Sequence, residues 1–388
     1  MKVCDLNKFF KRFLDRFNCF SIRIKILIFL FLLILFCLIV VPFFGLKLVC
    51  PSLSDVSSPS YHIMDGSQIN LNISEYNRPE ESTYLTFPEW HLVYIPEEYA
   101  DWIKSNPPSS YPYFASISQF WEGYCNVYEI TKVNYGFNIG DHFMLWVIGT
   151  SSSIEFGAKG IYENSVGRFS EWTSSNDATE EDEFAYHFNK EYVNFLYDYP
   201  WYEFSFASQF GVLWKETDIF GEHIIRKFER RIMLSFELII KTIYGGLING
   251  ATFILYGKAP LEIYATVENS SEYMFRDFPK MIKVQDLEGG LTVVKLPRYG
   301  EFTEILPRLS NEGLIFVDIA GNDEIFLTAV VNKNWDYELE EGEVLFNMNI
   351  LTNKDDKRIG IRSPVKSLSN ILNYLESKNA KIEHLYDY

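Results

Sequence analysis

The sequence lacks the short motifs that identify the common catalytic sites. Its 388 residues contain no phosphate-binding P-loop, no dinucleotide-binding glycine fingerprint, no HExxH zinc motif and no serine nucleophile elbow. These absences exclude the enzyme classes whose chemistry depends on those motifs. Binding proteins, and enzymes with less regular sites, remain open.

Cysteine is also scarce, with five residues in the whole chain: Cys4, Cys19, Cys37, Cys50 and Cys125. No CxxC spacing occurs, so the sequence gives no sign of a zinc site, and it indicates no cofactor. Only Cys50 and Cys125 follow the long apolar run described below, so only this pair could meet in an oxidising compartment. A disulfide-rich scaffold is excluded.

Positive charge is rare after residue 25. Without the seven basic and two acidic residues of positions 1–25, 28 basic and 50 acidic residues remain, a net charge of −22. Such an acidic exterior would repel the phosphates of nucleic acid and of anionic lipid. Nucleic acid is therefore not an expected partner.

The longest uncharged run covers residues 26–46, ILIFLFLLILFCLIVVPFFGL, between Lys25 and Lys47. A helix of that length spans about 31 Å, the thickness of the hydrocarbon core of a bilayer. The basic flank at 1–25 predicts a cytoplasmic N-terminal tail. The run is longer than a secretory signal and no small-residue cleavage site follows at 47–51, so we expect an uncleaved transmembrane anchor with the bulk of the chain outside.

The rest of the chain divides into three regions that differ in composition and in predicted secondary structure. Residues 47–82 are rich in Ser, Pro and Asn and predict a linker. Residues 83–257 predict an aromatic-rich, mainly helical domain, in which Thr179 caps a helix with Phe184, Phe188, Tyr192 and Phe195 as its buried stripe.

Residues 258–388 predict an antiparallel α+β domain. The expected strands are 261–267, 281–287, 291–296, 314–320, 324–331, 344–351 and 381–386, with helices near 301–311 and 366–378. From residue 291 onwards, the order strand, helix, two strands, helix, strand is that of a ferredoxin-like sandwich, although the strands before 291 and around 344–361 exceed it. No internal repeat is visible in the sequence.

A second apolar stretch covers residues 232–256, after a basic cluster of Arg226, Lys227, Arg230 and Arg231. On a helix, Glu237 and Lys241 form an ion pair within a narrow polar stripe, and Gly246 and Gly250 would let another helix approach. Three interpretations stay open: a second span, a buried helix, or a helix in the membrane interface. The two charges argue against a span. In the interfacial case, the 226–256 region would contact lipid headgroups or a partner helix.

Four residues place an acid beside an imidazole and are candidates for general acid–base catalysis: Glu89, His91, Asp141 and His142. Glu183, His187 and Glu191 lie at helical i, i+4 and i+8 positions and are weak candidates for metal ligands. Satisfied polar groups at turns and solvated helix faces explain both sets more simply. Glu155, Lys159 and Glu163 form a charge ladder that predicts surface or inter-helix ion pairs of small individual worth.

Long aromatic strings recur between residues 83 and 257: TFPEW (86–90), YPYFASISQFW (111–121), GDHFMLWVIG (140–149), KGIYENSVGRFSEW (159–172), TEED (179–182) and PWYEF (200–204). In these strings the chain resembles a group of uncharacterised bacterial membrane proteins. The resemblance covers about half of the chain and leaves out the α+β part. It implies a bacterial inner membrane and supplies no catalytic residues.

The sequence therefore predicts a membrane-anchored α+β protein of the bacterial envelope, in contact with the lipid bilayer through residues 26–46. The expected function is non-catalytic binding of a partner protein or lipid near the membrane. The alternative is a membrane-tethered enzyme that acts on an envelope substrate through its acid–histidine pairs.

Overall fold

A computed structural model describes residue 50 and residues 77–175, 177–256 and 261–387, with only the backbone for 251–256. The predicted tail at 1–25 and the predicted transmembrane helix at 26–46 lie outside the described residues, as does most of the predicted linker. The described chain combines helices, which predominate, with antiparallel sheets.

Eight α-helices form the described chain up to residue 256. They are α1 Ser82–Glu89, α2 His91–Ile103, α3 Tyr113–Asn134, α4 Ile139–Tyr162, α5 Arg168–Thr173, α6 Glu180–Leu196, α7 Phe206–Glu216 and α8 Ile224–Tyr256. A π-turn, Glu163–Gly167, joins α4 to α5. The predicted start of α6 is confirmed, because Thr179 and Asp182 form a capping box and Phe184, Phe188 and Tyr192 are buried.

Within the part of the chain that the structure describes, eight strands form two four-stranded antiparallel sheets. The first contains β1 Glu262–Glu268, β2 Ile282–Asp286, β3 Thr292–Pro297 and β4 Ile315–Ile319, in the order β2-β3-β1-β4. The second contains β5 Glu324–Asn332, β6 Glu343–Asn349, β7 Asp356–Pro364 and β8 Lys381–Leu385, in the order β6-β7-β5-β8. Three helices accompany them: α9 Glu272–Asp277, α10 Gly300–Asn311 and α11 Leu368–Ser377.

The predicted strands are present, but their grouping into one sandwich from residue 291 onwards is wrong. Strands β3 and β4 belong to the first sheet, whereas β5 and β8 belong to the second. The chain passes from one sheet to the other at a tight turn in which the Ile319 amide donates to the Asn322 carbonyl at 3.1 Å. Alternating hydrophobicity indicates a strand but not its partner, so the sequence pattern could not show this division.

The two sheets are copies of one arrangement, which corrects the expectation of no internal repeat. Both have the same strand order, and Glu262 and Ile263 at the start of β1 correspond to Glu324 and Ile325 at the start of β5. Helices α10 and α11 also end alike. Each is followed by a residue with positive φ, Gly313 (86°) or Asn379 (57°), and each closes with an amide that donates back into its last turn.

The copies are interlocked rather than stacked side by side. One apolar core contains the inner faces of both sheets together with α10 and α11. The Ser369 hydroxyl of α11 donates to the Leu314 carbonyl before β4 at 2.9 Å. Conversely, the Leu385 amide of β8 donates to the Thr303 hydroxyl of α10 at 3.0 Å. Each copy's helix therefore holds the last strand of the other copy.

The second sheet also packs against the helical region. Phe326 of β5 and Tyr386 after β8 contact Phe87 of α1, with ring centroids 5.6 and 5.8 Å apart. The Thr83 hydroxyl donates to the Tyr386 carbonyl at 2.8 Å. This sheet is thus covered on both faces, which fixes its position relative to helices α1 and α2.

Candidate functional site

Helix α8 has the reverse of the polarity expected for the surface helix of a soluble protein. Its charged side faces the protein, where Arg226, Arg230 and Arg231 are 1–3% exposed. Its opposite side carries large apolar residues that are 40–68% exposed: Ile224, Ile225, Phe228, Ile232, Phe236, Ile239, Ile240, Ile243, Tyr244 and Leu247. A helix of a water-soluble domain normally buries its apolar stripe instead.

Ion pairs hold the buried side of α8 in place. Arg230 contacts Glu163 of the π-turn at 2.7 Å, and Arg231 contacts Glu181 of α6 at 2.8 Å. Arg226 contacts Asp182 at 2.7 Å. These acids come from the π-turn and the first turn of α6, which lie along the buried side of the first half of α8.

Two lysines extend this row of ion pairs towards the middle of α8, and the whole row between α8 and its neighbours is called the ionic seam below. Lys241 pairs with Glu155 of α4 at 2.9 Å, and Lys159 of α4 pairs with Glu237 at 3.2 Å. The predicted pair of Glu237 with Lys241 is confirmed at 3.9 Å. The predicted charge ladder does form inter-helix pairs, but Lys159 and Glu163 are buried rather than exposed, so removal of one partner alone would be costly.

The basic cluster before the apolar stretch therefore faces carboxylates and not solvent. Lys227, the remaining member, contacts Glu180 at 3.1 Å. These four side chains cannot reach lipid headgroups without leaving their ion pairs. The part of α8 that remains for a membrane or a partner is its apolar side.

A second exposed apolar stripe follows α4 into α5. It contains Ile154 (64% exposed), Ile161 (66%), Phe169 (59%) and Trp172 (74%). Ile154 and Ile161 are seven residues apart, which is two helical turns. Ile161 and Phe169 are eight apart, and the π-turn between them takes up the additional residue. The stripe therefore stays on one face through the junction.

Helix α8 is the one helix in the described ranges that is long and apolar enough to cross a membrane, over Ile224–Gly250. Only 22% of its most apolar window is buried inside the protein. The interpretation of this stretch as a buried core helix is therefore disfavoured. The exposed apolar side leaves the interpretations of a second span and of an interfacial helix open.

A disulfide joins Cys50 to Cys125 of α3, with their Cα atoms 5.5 Å apart. Around it pack Leu85, Leu145 and Trp146. Because Cys50 follows residue 46 by only four positions, the end of the predicted anchor lies within about 14 Å of Cys50. The helical region is thereby held close to the place where residues 26–46 would leave the bilayer.

The first acid–histidine candidates, Glu89 and His91, do not form a pair. His91 is 1% exposed, and its Nδ1 lies 3.4 Å from the carbonyl of Phe87 in its own helical turn. Burial lowers the pKa of His91 to about 3. Burial, and then the negative charge of Asp141, raises the pKa of Glu89 to about 7. The structure thus brings Glu89 near the other acid rather than near its own histidine.

The second candidates, Asp141 and His142, do not form a pair either. The Nδ1 of His142 lies 3.1 Å from the Tyr124 hydroxyl, and its ring stacks on Phe137 with centroids 4.4 Å apart. Burial lowers the pKa of His142 to about 4. Asp141 accepts a hydrogen bond from Asn138 at the start of α4. Both histidines are neutral, packed side chains in separate aromatic clusters.

The metal candidates Glu183, His187 and Glu191 lie on the exposed face of α6. Glu191 accepts a hydrogen bond from Gln209 of α7 at 2.9 Å. Within the described residues, no three His, Cys, Asp or Glu side chains are grouped closely enough to hold a metal ion.

Sequence reasoning missed a polar cluster between α2 and the second sheet. Arg358 of β7 contacts Glu383 of β8 at 2.6 Å and Glu98 of α2 at 3.4 Å. Beside it, the hydroxyls of Tyr94 and Tyr386 are 2.6 Å apart. Burial raises the pKa of Glu98 to about 7 against the opposing effect of Arg358. No local pattern links these residues, because Arg358 and Glu383 are 25 residues apart and the contacts to α2 join positions more than 200 residues apart.

An open cavity of about 570 Å³ lies between the end of α6, the start of α10 and β8. Its walls mix both signs of charge: Glu97, Asp198, Glu301, Glu304 and Glu383 with Lys280, Arg298 and Lys381. Several are already paired, since Tyr197 donates to Glu97 at 2.8 Å and Lys280 contacts Glu301. The lining does not define one class of ligand.

The buried state of His91 predicts a specific loss of stability in acid. Its pKa is about 3 in the folded protein against 6.5 for an unperturbed histidine, so between these values only the unfolded chain binds the proton. This contribution is therefore complete above pH 6.5 and is lost as the pH falls, by at most about 1.4 kcal/mol per pH unit. In His91→Gln, this part of the pH dependence should disappear.

Urea unfolding at pH 7, 5.5 and 4.5 measures the effect. The destabilisation caused by His91→Gln should shrink steadily towards low pH. His187→Gln is the matched control, because it makes the same substitution at an exposed histidine and removes no buried side chain. A constant difference between His91→Gln and the unchanged protein at all three pH values would contradict the prediction.

No family model, no curated protein and no solved structure matches the chain. Its function has to be inferred from the geometry described above.

Proposed function

We propose that the protein is a membrane-anchored bacterial envelope protein without catalytic activity, whose helical region binds lipid or a partner protein at the membrane surface. Residues 26–46 form its single transmembrane anchor, with the N-terminus in the cytoplasm. The C-terminal region is a pair of ferredoxin-like units, of which the first contains both helices and the second contains one. The observation that carries this proposal is the reversed polarity of α8.

The apolar side of α8 is too large to be left in water without a function. It contains ten large side chains that are 40–68% exposed. Covering them would contribute on the order of 10 kcal/mol, at about 1.5–3 kcal/mol for each fully buried large apolar side chain. Contiguous exposed apolar surfaces of this kind mark protein–protein or membrane contacts.

The enzymatic alternative has less support from the geometry. General acid–base catalysis needs an acid and a base that converge on one substrate, and His91 and His142 are instead bound to separate groups. Glu89 has a pKa of about 7, which suits proton transfer, but it lies at the end of α1 without a histidine partner. Binding is therefore the function that we favour.

Vesicle flotation tests the lipid version of the proposal. A form that starts at Lys47 keeps the Cys50–Cys125 disulfide but lacks the anchor, so any flotation must come from the remaining chain. We expect it to float with phosphatidylcholine vesicles. Phe236→Glu with Ile243→Glu should reduce the bound fraction more than tenfold, because each charge costs about 2.5–3.5 kcal/mol in hydrocarbon.

Ile282→Glu is the matched control, because Ile282 is 49% exposed on the edge strand β2 of the first sheet and belongs to neither apolar stripe. It should bind as the unchanged form does. Equal losses in both variants would point to unfolding and not to a contact surface. If the form from Lys47 floats with no lipid composition, the lipid version fails and only a protein partner is left.

A further inference from the structure

We propose that the apolar stripes of α4–α5 and of α8 form one docking surface for the hydrocarbon of the bilayer, and that they bind by insertion without recognition of charged headgroups. This inference rests on the proposed membrane function and deepens it by naming the surface, its occupant and its orientation. It follows from three observations: the relation of the two helices, the position of the disulfide and the location of the charges.

The two stripes flank a common ionic seam. Between Glu155 and Glu163, α4 and the π-turn contact α8 at four points. As the residue number rises along α4, the number of the partner on α8 falls, from Lys241 to Glu229 and Arg230. The distances are 2.9 Å for Glu155–Lys241, 3.2 Å for Lys159–Glu237, 2.8 Å for Tyr162–Glu229 and 2.7 Å for Glu163–Arg230. The helices are therefore antiparallel neighbours, with their charges turned towards each other and their apolar residues turned outwards.

This arrangement satisfies the charges internally. Each lysine or arginine in the ionic seam contacts a carboxylate. Helices α4 and α8 can therefore enter hydrocarbon without an unpaired charge along the seam. Helices that meet hydrocarbon need this arrangement, because an unpaired charge there is costly. A soluble domain has no such need and would direct the charges outwards.

The disulfide places the surface at the bilayer. Leu145 and Trp146 of α4 pack around Cys125, which is bonded to Cys50. The neighbouring Phe143 and Met144 are each 47% exposed. Cys50 follows the end of the 26–46 run by only four positions, at most about 14 Å of chain, so the proposed anchor brings the bilayer beside this end of α4.

The charges decide how the surface binds. Arg226, Lys227, Arg230 and Arg231 are all less than 10% exposed and are paired, so this cluster offers no free basic rim beside α8. Arg168, which is exposed next to Phe169, bonds the Ser109 carbonyl at 3.4 Å and Asn164 at 3.1 Å. The chain after residue 25 carries a net charge of −22, which anionic headgroups would repel. Insertion therefore depends on apolar contact, supported by the exposed indole of Trp172, a side chain that favours membrane interfaces.

Depth-dependent fluorescence quenching in the full chain tests the inference. Cys4, Cys19 and Cys37 are replaced by Ser, and one environment-sensitive fluorophore is attached at Ile161→Cys, Ile243→Cys or Ile282→Cys in phosphatidylcholine vesicles. Lipids with a nitroxide on the acyl chain should quench the label at 161 and at 243 several-fold. The label at 282, on strand β2, should not be quenched.

A fourth protein, labelled at the native Cys37, separates the possible failures. If position 37 is quenched and positions 161 and 243 resemble 282, the chain is anchored but the docking surface does not exist, and the inference is overturned. If position 37 is not quenched either, the membrane anchor itself is absent, and the proposed function fails with it.

A second arm varies the headgroup. Quenching at position 243 should differ by less than twofold between neutral vesicles and vesicles with 30–40% anionic lipid, roughly the range at which a basic patch would respond. A tenfold preference for anionic lipid that is lost in high salt would overturn binding by insertion alone and would point to headgroup recognition.

Discussion

Arg230→Met is expected to destabilise the protein by about 3–5 kcal/mol, the largest effect that we predict for a single substitution. Arg230 is 1% exposed and contacts Glu163, which is fully buried, at 2.7 Å. It also contacts Asp182 of α6 at 3.2 Å. Without the guanidinium group, the carboxylate of Glu163 would stay buried without its ion-pair partner.

The double variant Glu163→Leu with Arg230→Met is the matched control. It removes both charges and fills the site with apolar side chains of similar volume, which is often neutral or stabilising. Urea unfolding of the full chain in detergent should place the double variant within about 1–2 kcal/mol of the unchanged protein. If the single variant is as stable as the double one, the ion pair does not hold α8 against the π-turn.

Cys125→Ser is expected to destabilise the fold by about 4 kcal/mol, the second largest predicted effect. The disulfide closes a loop with a sequence separation of 75 residues, and a loop of that length constrains the unfolded chain strongly. The loss should appear as a lower unfolding midpoint in urea. A reductant should lower the midpoint of the unchanged protein to the same value and should leave Cys125→Ser unaffected.

Cys19→Ser provides the control for this prediction, because Cys19 lies in the basic tail and has no expected partner. Its unfolding midpoint should not change. A midpoint for Cys125→Ser equal to that of the unchanged protein would show that Cys50 and Cys125 are not bonded in the folded chain, and the position assigned to the membrane anchor would lose its support.

The sequence was informative where structure depends on neighbours along the chain. Thr179 and Asp182 identify the start of α6 because capping chemistry acts within one turn. The Glu237–Lys241 pair follows from helical spacing alone. The strands were recognisable from short β-branched and aromatic runs, and their predicted bounds agree with the structure to within two residues at most positions.

Contacts between distant segments could not be predicted in this way. Glu163 and Arg230 are 67 residues apart, and nothing in either local sequence indicates that one neutralises the other. The basic cluster on α8 therefore looked like a headgroup contact, although its partners are buried carboxylates. The acid–histidine candidates failed for a similar reason, since adjacency in sequence does not decide which aromatic cluster encloses His91 or His142.

The repeat was hidden because its two copies share only a few identical residues at equivalent positions. Ile305 and Ile371 occupy equivalent places in α10 and α11, as do Leu309 and Leu375. Between these positions the exposed residues differ freely, and the loop before β6 replaces the short helix α9. The buried positions have the same spacing of apolar residues in both copies, but a comparison of residue identities alone does not show this spacing.

The interlocking of the two sheets has a consequence for how the chain folds. Because α11 bonds to the start of β4 and β8 bonds to α10, neither copy can complete its core before the other has formed. The two should therefore gain and lose hydrogen-exchange protection together, as a single cooperative unit. A chain cut at the turn near Gly321 would yield two halves whose sheets form only when the halves are mixed, so each copy acts as a folding template for the other.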